Sequence, residues 1–509
     1  MKQILTFITI FSCFLLLTSC NDWLDVTPQG DAEAEELLST TAGVNSAVAG
    51  LYYNLIQTNS HAGDLSFGTL DVLAQYYEVS DVNHQDYYFA QYDYNNIRVK
   101  SRINSWWKNY YLSVAQANQI LSELDNNSGN IDTPELFEGE LLALRAFIHL
   151  QVYQLFGPVV QNQADLEQKA IPYRYEFNEL PTEFLTCEQV LTNAKNDLLK
   201  ALELLENDPI RKGHKRLDNN ESMLAYNNIL ANRVGRLNYF AVMGMLVRVE
   251  QLLLNQSETD GAFYWANRIV KETESGDQNI AFTTKEEVEG SGPGARDLLY
   301  SSEIIFSLHI NNLYKVAGKK FSLPGYNGKQ GLMLTVNSAS FDNFVNYVYG
   351  REPDGAGTDY RLNYWFNQNS GSSNFPFQKY REPEDQNKIY KISYPEVAVL
   401  RLSEIYYAMC ESKINVDNVK ALEYLNEVRT KRGLPELDNS EADNVAIYLM
   451  RERRKEFMGD GRTFLINKRL FTNIEASSSL NIEASKAIFE LPIPEDEFTY
   501  GPEEKSSNN

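Results

Sequence analysis

Cysteine is scarce in this chain, four residues in 509. With Cys13 inside an apolar leader and the others far apart, no disulfide framework can be read from it. Basic residues are also short, 46 against 69 acidic, which leaves a formal charge of −23. That balance excludes the basic footprint of a nucleic-acid binder and docking on anionic lipid headgroups. It suits a soluble, self-repelling surface. Histidine occurs five times, at 61, 84, 149, 214 and 309, never in the H-E-x-x-H spacing of a zinc site. A G-x-S-x-G elbow and a phosphate-binding loop are missing too. Carboxylates are so abundant that any two could be paired on paper as a glycosidase dyad, so their presence identifies no active site. The chain is therefore expected not to be an enzyme and to need no cofactor or metal.

Long apolar runs are absent beyond the first residues; nothing else approaches the ~20 residues of a spanning helix. What is present is a leader: Lys2, then an apolar stretch from Ile4 to Leu17 that is too short to span a bilayer. It ends in Leu17-Thr18-Ser19-Cys20, which resembles the lipobox of bacterial lipoproteins. The resemblance implies cleavage before Cys20 and lipidation of its thiol. The alternative is an ordinary secretory signal with an incidental cysteine. Each buried methylene contributes about 0.8 kcal/mol, so several acyl chains on one residue hold far more firmly than one. The expectation is a signal peptide over 1–19 and a single soluble domain over 20–509, tethered by lipid. Cys187 and Cys410 sit in helix-like sequence and are expected to be buried free thiols.

Helical periodicity dominates the two ends of that domain. "ELLALRAFIHLQVYQLFGP" sets Leu141, Leu144, Ile148, Val152 and Leu155 on one stripe, and Gly157-Pro158 supplies the stop. "VLRLSEIYYAMCESKI" and "KALEYLNEVRTKRGLP" repeat the pattern, the second ending at Gly433 and Pro435. "SEADNVAIYLMRERRKEFMGDGR" opens with Ser440 and Asp443 in a capping-box-like arrangement. Small residues such as Ala143, Ala146, Gly244 and Ala408 suit close helix crossings. The fold class expected is mainly α, a scaffold of tetratricopeptide-like helix pairs stacked as a solenoid. His149 lies in apolar helix and is expected to be a satisfied core residue. In "MRERRKEFMGDGR", Glu452 and Glu456 are expected to pair with arginines of this and neighbouring helices in a structural lattice that locks the last hairpin; the alternative is an anion site.

Two stretches break the helical pattern: Val79–Asn96, and the longer run from about 281 to 390, rich in Gly, Asn, Ser and aromatics. Long irregular insertions on a rigid scaffold usually hold function. Tyr87, Tyr88, Phe89, Tyr92 and Tyr94 crowd the first; Tyr326, Tyr360, Tyr364, Trp365, Phe366 and Phe377 crowd the second. Sugar rings pack their C–H faces on aromatic planes, while Tyr, Asn and Asp satisfy the hydroxyls. Tyr88, Tyr92, Tyr326 and Trp365 are the candidate platforms. The alternative is that these aromatics build local core, and Asp359-Tyr360-Arg361 reads as the start of a strand.

Seven segments now stand in order: "NDWLDVTPQGD" after Cys20, "WWKNYYLSVAQANQIL", "LRAFIHLQVYQLFGPV", "YPEVAVLRLSEIYYAMCESKIN", "ALEYLNEVRTKRGLP", "ERRKEFMGDGR" and "LPIPEDE". Together they resemble the SusD/RagB family of surface nutrient-binding lipoproteins, over nearly the whole mature chain. The chain departs from the family's late-helix pattern at Phe457-Met458-Gly459-Asp460-Gly461. The resemblance implies four tetratricopeptide-like helix pairs with an irregular ligand-binding face. It implies an outer-membrane location facing the exterior, and a SusC-like TonB-dependent barrel transporter as partner. The ligand implied is an oligosaccharide. A peptide taken up in the same way, or a helical-repeat adaptor for proteins, are the rival readings.

Overall fold

Eight helices form a linear array in which each packs on the next. They are α1 (Thr41–Gln57), α2 (Ile97–Asn127), α3 (Pro134–Phe156), α4 (Cys187–Leu204), α5 (Tyr239–Leu252), α6 (Ala262–Glu274), α7 (Leu402–Lys413) and α8 (Asn418–Lys431). This computed structural model describes residues 35–57, 63–212, 229–231, 233–274, 280–291, 295–321, 336–337, 345–350, 356–366, 374–382, 395–475 and 481–499. The leader and Cys20 lie outside the described residues.

Local sequence sets the helix ends. Asn96 caps α2, its side chain accepting from the Arg98 amide at 3.0 Å. Pro134 opens α3, where its missing N–H would have had no intrahelical partner. Thr186 and Gln189 cap α4 reciprocally, and Asn238 and Asp417 cap α5 and α8. Gly433 follows α8 at φ +78°, the left-handed conformation a glycine adopts without strain. The periodicity predicts one apolar stripe on α3, yet nearly every residue from Leu136 to Phe156 is buried. α2 and α4 pack on it from both sides, so it keeps almost no solvent face.

Close crossings use the small residues. Ala143 and Ala146 are fully buried in α3, and a Cβ on Gly244 would collide with the Leu400 side chain. Leu400 belongs to β4 (Glu396–Arg401), which pairs antiparallel with β3 (Ile304–His309). Ile304 faces Arg401 and His309 faces Glu396, so the chain leaves the array and re-enters it through one two-stranded ribbon. A second ribbon, β1 (Lys169–Pro172) with β2 (Phe184–Thr186), joins α3 to α4. After α8 come α9 (Val445–Glu456) and α10 (Thr463–Leu470). Among the described residues no helix is long and apolar enough to cross a membrane.

Three local expectations are corrected. "EVAVLR" is strand, so the helix at "LSEIYYAMCESK" starts only at Leu402. "DYRLNYW" is not a strand but a short helix, Tyr360–Trp365, capped by the Asp359 side chain on the Arg361 amide at 2.9 Å. Ser440 and Asp443 form no capping box; Asp438 caps a 3₁₀ turn over Asn439–Asn444 that leads into α9. Cys187 and Cys410 are buried free thiols, as read from the sequence. His149 is buried, its Nδ1 2.8 Å from the Arg145 carbonyl, its Nε2 accepting from the Arg174 amide, and its ring stacked on Tyr173.

Candidate ligand-binding face

The segment just ahead of the early irregular stretch, Phe67 to Tyr77, meets the late insertion across a cluster of aromatic rings. Phe321 packs on Phe67, Tyr77 and Phe377 with centroids 5.8, 5.7 and 5.3 Å away, and Phe67 also meets Tyr380 at 4.9 Å. Such pairs add specific packing to the area they bury. Residues 67–77 and the described part of the late insertion are thereby packed together.

Buried ion pairs tie that unit to the helical array. Arg361 donates to Asp359 at 2.8 Å, to Glu452 at 2.7 Å and to Glu456 at 3.0 Å. Arg432 bridges Glu456 and Glu303, and Arg429 and Lys455 complete Glu452 at 2.9 Å each. Burial alone would raise Glu456, but Arg432, Arg401 and Arg361 outweigh it and hold the carboxyl well below its usual range. Lys455, Arg361 and Arg429 likewise bring Glu452 to about 2 against its burial. The lattice read into "MRERRKEFMGDGR" is therefore present, with most of its arginines supplied by other elements. The same network explains the departure at 457–461. Gly459 and Gly461 adopt φ +86° and +67°, and both donate their amides to the buried Asp71 carboxylate. Asp460 between them accepts from Lys379 at 2.7 Å and from Arg401 at 2.6 Å.

The early turn stands on a second charged node. Arg102 of α2 pairs with Asp64 at 2.8 Å and Asp86 at 2.7 Å, and its guanidinium lies 4.8 Å from the Phe89 ring centroid. Burial pushes Asp86 up, but Lys320 and Arg102 prevail and hold it at about 2. The next residues, Tyr87–Ala90, make a single helical turn. Tyr87 and Tyr88 are partly exposed and meet edge to face, centroids 5.2 Å apart. Asp81, Asn83, Gln85 and Gln91 around them are exposed. A rigid aromatic pair ringed by amides and carboxylates is equipped to take a polyhydroxylated ligand.

The four candidate platforms separate. Tyr88 is partly exposed and packs edge to face on Tyr87. Tyr92 turns inward from a left-handed backbone (φ 55°), its hydroxyl donating to the Leu73 carbonyl at 2.8 Å and accepting from Gln75 at 3.1 Å. Trp365 presents no open face at all. It is 1% exposed, its Nε1 donates to the Leu298 carbonyl at 2.9 Å, and Tyr300 and Phe377 meet it edge to face. Its place on a helix that points Arg361 and Trp365 into the body makes it core. Tyr326 lies outside the described residues, as does the lipidation candidate Cys20. Sequence reasoning passed over Arg102, which looks no different from Arg98 and Lys100 beside it near the start of a long amphipathic helix.

Comparison with known proteins bears on this arrangement. A family model described as starch-binding and associating with the outer membrane matches residues 22–222. The SusD family model matches residues 327–470. No curated protein matches the chain. Among solved structures, a SusD superfamily protein from Bacteroides vulgatus ATCC 8482 superposes with a TM-score of 0.65 at 20% identity, covering 91% of this chain and 98% of that one. A SusD superfamily protein from Bacteroides thetaiotaomicron VPI-5482 gives 0.63 at 19% identity, with 91% and 98% covered. A SusD-like carbohydrate binding protein, again from Bacteroides vulgatus ATCC 8482, gives 0.64 at 15% identity, with 90% and 96% covered. These likenesses show the overall fold. The family matches at both ends of the chain agree with them: this protein belongs to the SusD/RagB family.

Proposed function

We propose that this protein is a cell-surface lipoprotein that binds oligosaccharide at its early turn and delivers it to a SusC-like TonB-dependent barrel transporter in the outer membrane. The observation that supports the binding role is the partly exposed Tyr87–Tyr88 pair, held on a turn that Arg102, Asp64 and Asp86 fix in place. The family's description as starch-binding and outer-membrane-associated, and the carbohydrate-binding relative, support the ligand class and location. Binding is the whole role in this reading, with no chemistry on the ligand. Lipid on Cys20 keeps the protein at the surface, and residues 20–509 act as one domain.

The strength of binding follows from the surface available. A sugar ring on an aromatic face removes roughly 80 Å² of apolar area, worth about 2 kcal/mol. Two such rings give about 4 kcal/mol, exchanged hydrogen bonds add about 1 kcal/mol each, and association costs take back part of the sum. A dissociation constant of roughly 10 μM to 1 mM results. On a lid tethered over its transporter, local concentration replaces affinity.

Mild detergent extraction of native membranes, followed by pull-down of the wild type, tests delivery: a large outer-membrane barrel is expected to co-purify. In cells lacking that barrel, Cys20→Ala should leave the membrane fraction. A pull-down without a barrel removes the transport role, and a Cys20→Ala protein retained in those membranes removes the lipid anchor.

A further inference from the structure

A groove of about 580 Å³ runs beside the second half of α2, apart from the early turn and from the late insertion. That size falls within the roughly 300–1,000 Å³ of small-molecule sites. Gln119, Ser122 and Glu123 line it from α2, and Tyr175 and Phe177 line it from the connection between β1 and β2. Tyr175 is 46% exposed and Phe177 54%.

The connection that presents these rings is firmly built. Asn118 donates to the carbonyls of Arg174 and Glu176 at 3.1 and 3.4 Å and accepts from Arg145 at 3.0 Å. Arg145 is itself clamped on Asp197 by two bonds of 2.8 and 2.7 Å, and its guanidinium lies 4.8 Å from the Tyr175 centroid. Tyr173, bonded to Asp197 at 2.6 Å and stacked on His149, meets Tyr175 at 5.0 Å. Tyr175 is thus braced from the buried side while much of the ring remains open. An exposed ring held on a rigid mount is suited to receive a ligand face.

Charge selects the occupant. Glu123, Asp125 and Glu176 bring carboxylates to the groove, and among the described residues no Lys or Arg lines it. Anionic glycans would be repelled, whereas sugar hydroxyls can donate to the carboxylates and to Ser122 and Gln119. The lining comes from a helix and an irregular loop, so a peptide backbone would find no strand edge to extend. We infer that this groove is a second saccharide site, selective for uncharged oligosaccharides. It rests on the reading above only for the expectation that the chain binds glycans; the residues are separate.

The test compares wild type, Tyr175→Ala, Ser122→Trp and Tyr88→Ala on one array. The array presents neutral gluco-, xylo-, manno- and fructo-oligosaccharides, oligogalacturonate and basic peptides, with titration of each hit. Ser122→Trp fills the groove from an exposed helix position, so it decides the matter if Tyr175→Ala melts early. The expected result is a neutral oligosaccharide whose affinity falls about tenfold or more in both groove variants at wild-type melting temperature. Neutral oligosaccharides that bind both groove variants as they bind wild type overturn the groove site alone, and the Tyr88→Ala arm then shows whether the first site stands. Groove-dependent binding of only oligogalacturonate or basic peptide overturns the ligand class. If no saccharide binds the wild type, both sites fall together.

Discussion

Tyr88 and Tyr92 sit one helical turn apart in the sequence and face different problems. Tyr92 spends its hydroxyl on Leu73 and Gln75, so it holds the early turn onto the segment before it. Tyr92→Phe should cost about 1 kcal/mol, seen as a lower melting temperature, with ligand affinity nearly unchanged. Trp365→Ala should cost about 3–5 kcal/mol, because it empties a site walled by Tyr300 and Phe377. Thermal melting of both variants checks this; a Trp365→Ala protein that melts like wild type would return that residue to the surface. The sequence shows where aromatics cluster but not which way each points. Direction came from partners far away in the chain, Leu298 for Trp365 and Leu73 for Tyr92. Charged core residues were legible only in part. Glu452 and Glu456 could be matched with arginines, but Arg361 and Arg432 could not be placed against them from spacing.

At the scale of elements, the helices were legible because caps and stops are local chemistry: Asn96, Pro134, Thr186 and Gly433 each act within a turn. β4 was not, because "EVAVLR" runs into α7 without a break and its strand state depends on pairing with β3, some ninety residues earlier. The C-terminal segment stood out as the motif "LPIPEDE", but its structural role was not legible. Residues 488–498 lie across the array as a strap. Tyr94 donates to the Ile488 carbonyl at 2.7 Å, Val159 donates to Glu490 at 2.8 Å, and Trp107 donates to Glu497 at 3.0 Å. Phe498 stacks on Phe184 of β2, centroids 6.0 Å apart. A chain ending at residue 480 should therefore loosen the early turn and the start of α2 while α7 and α8 stay protected. Hydrogen exchange over residues 87–110 is the measurement, and unchanged protection there would deny the strap this role.

At the scale of the whole molecule, buried carboxylates held down by arginines set the acid limit. Burial raises Glu404 and Glu411, but Arg248 with Arg462, and Arg469 with Arg453, bring them to about 2, and Glu452 stands at the same value. A carboxylate whose folded pKa lies below its unfolded value contributes stability at higher pH and loses it as pH falls through the folded value. Melting temperature should accordingly drop steeply between about pH 4.5 and pH 2, each group contributing on the order of a few kcal/mol. A melting temperature that stays level down to pH 2 would mean these pairs add nothing to the fold. The array, its two insertions and the family were readable from the ordered motifs, whereas the ligand face was not, since it depends on which rings the packing leaves open. Calorimetric titration of wild type and Tyr88→Ala with the neutral oligosaccharide that binds best tests the central claim most directly. Binding at roughly 10 μM to 1 mM, weakened about tenfold in Tyr88→Ala with the melting temperature unchanged, is the expected result. A folded wild type that binds no saccharide, or a Tyr88→Ala protein that binds as tightly as wild type, contradicts it.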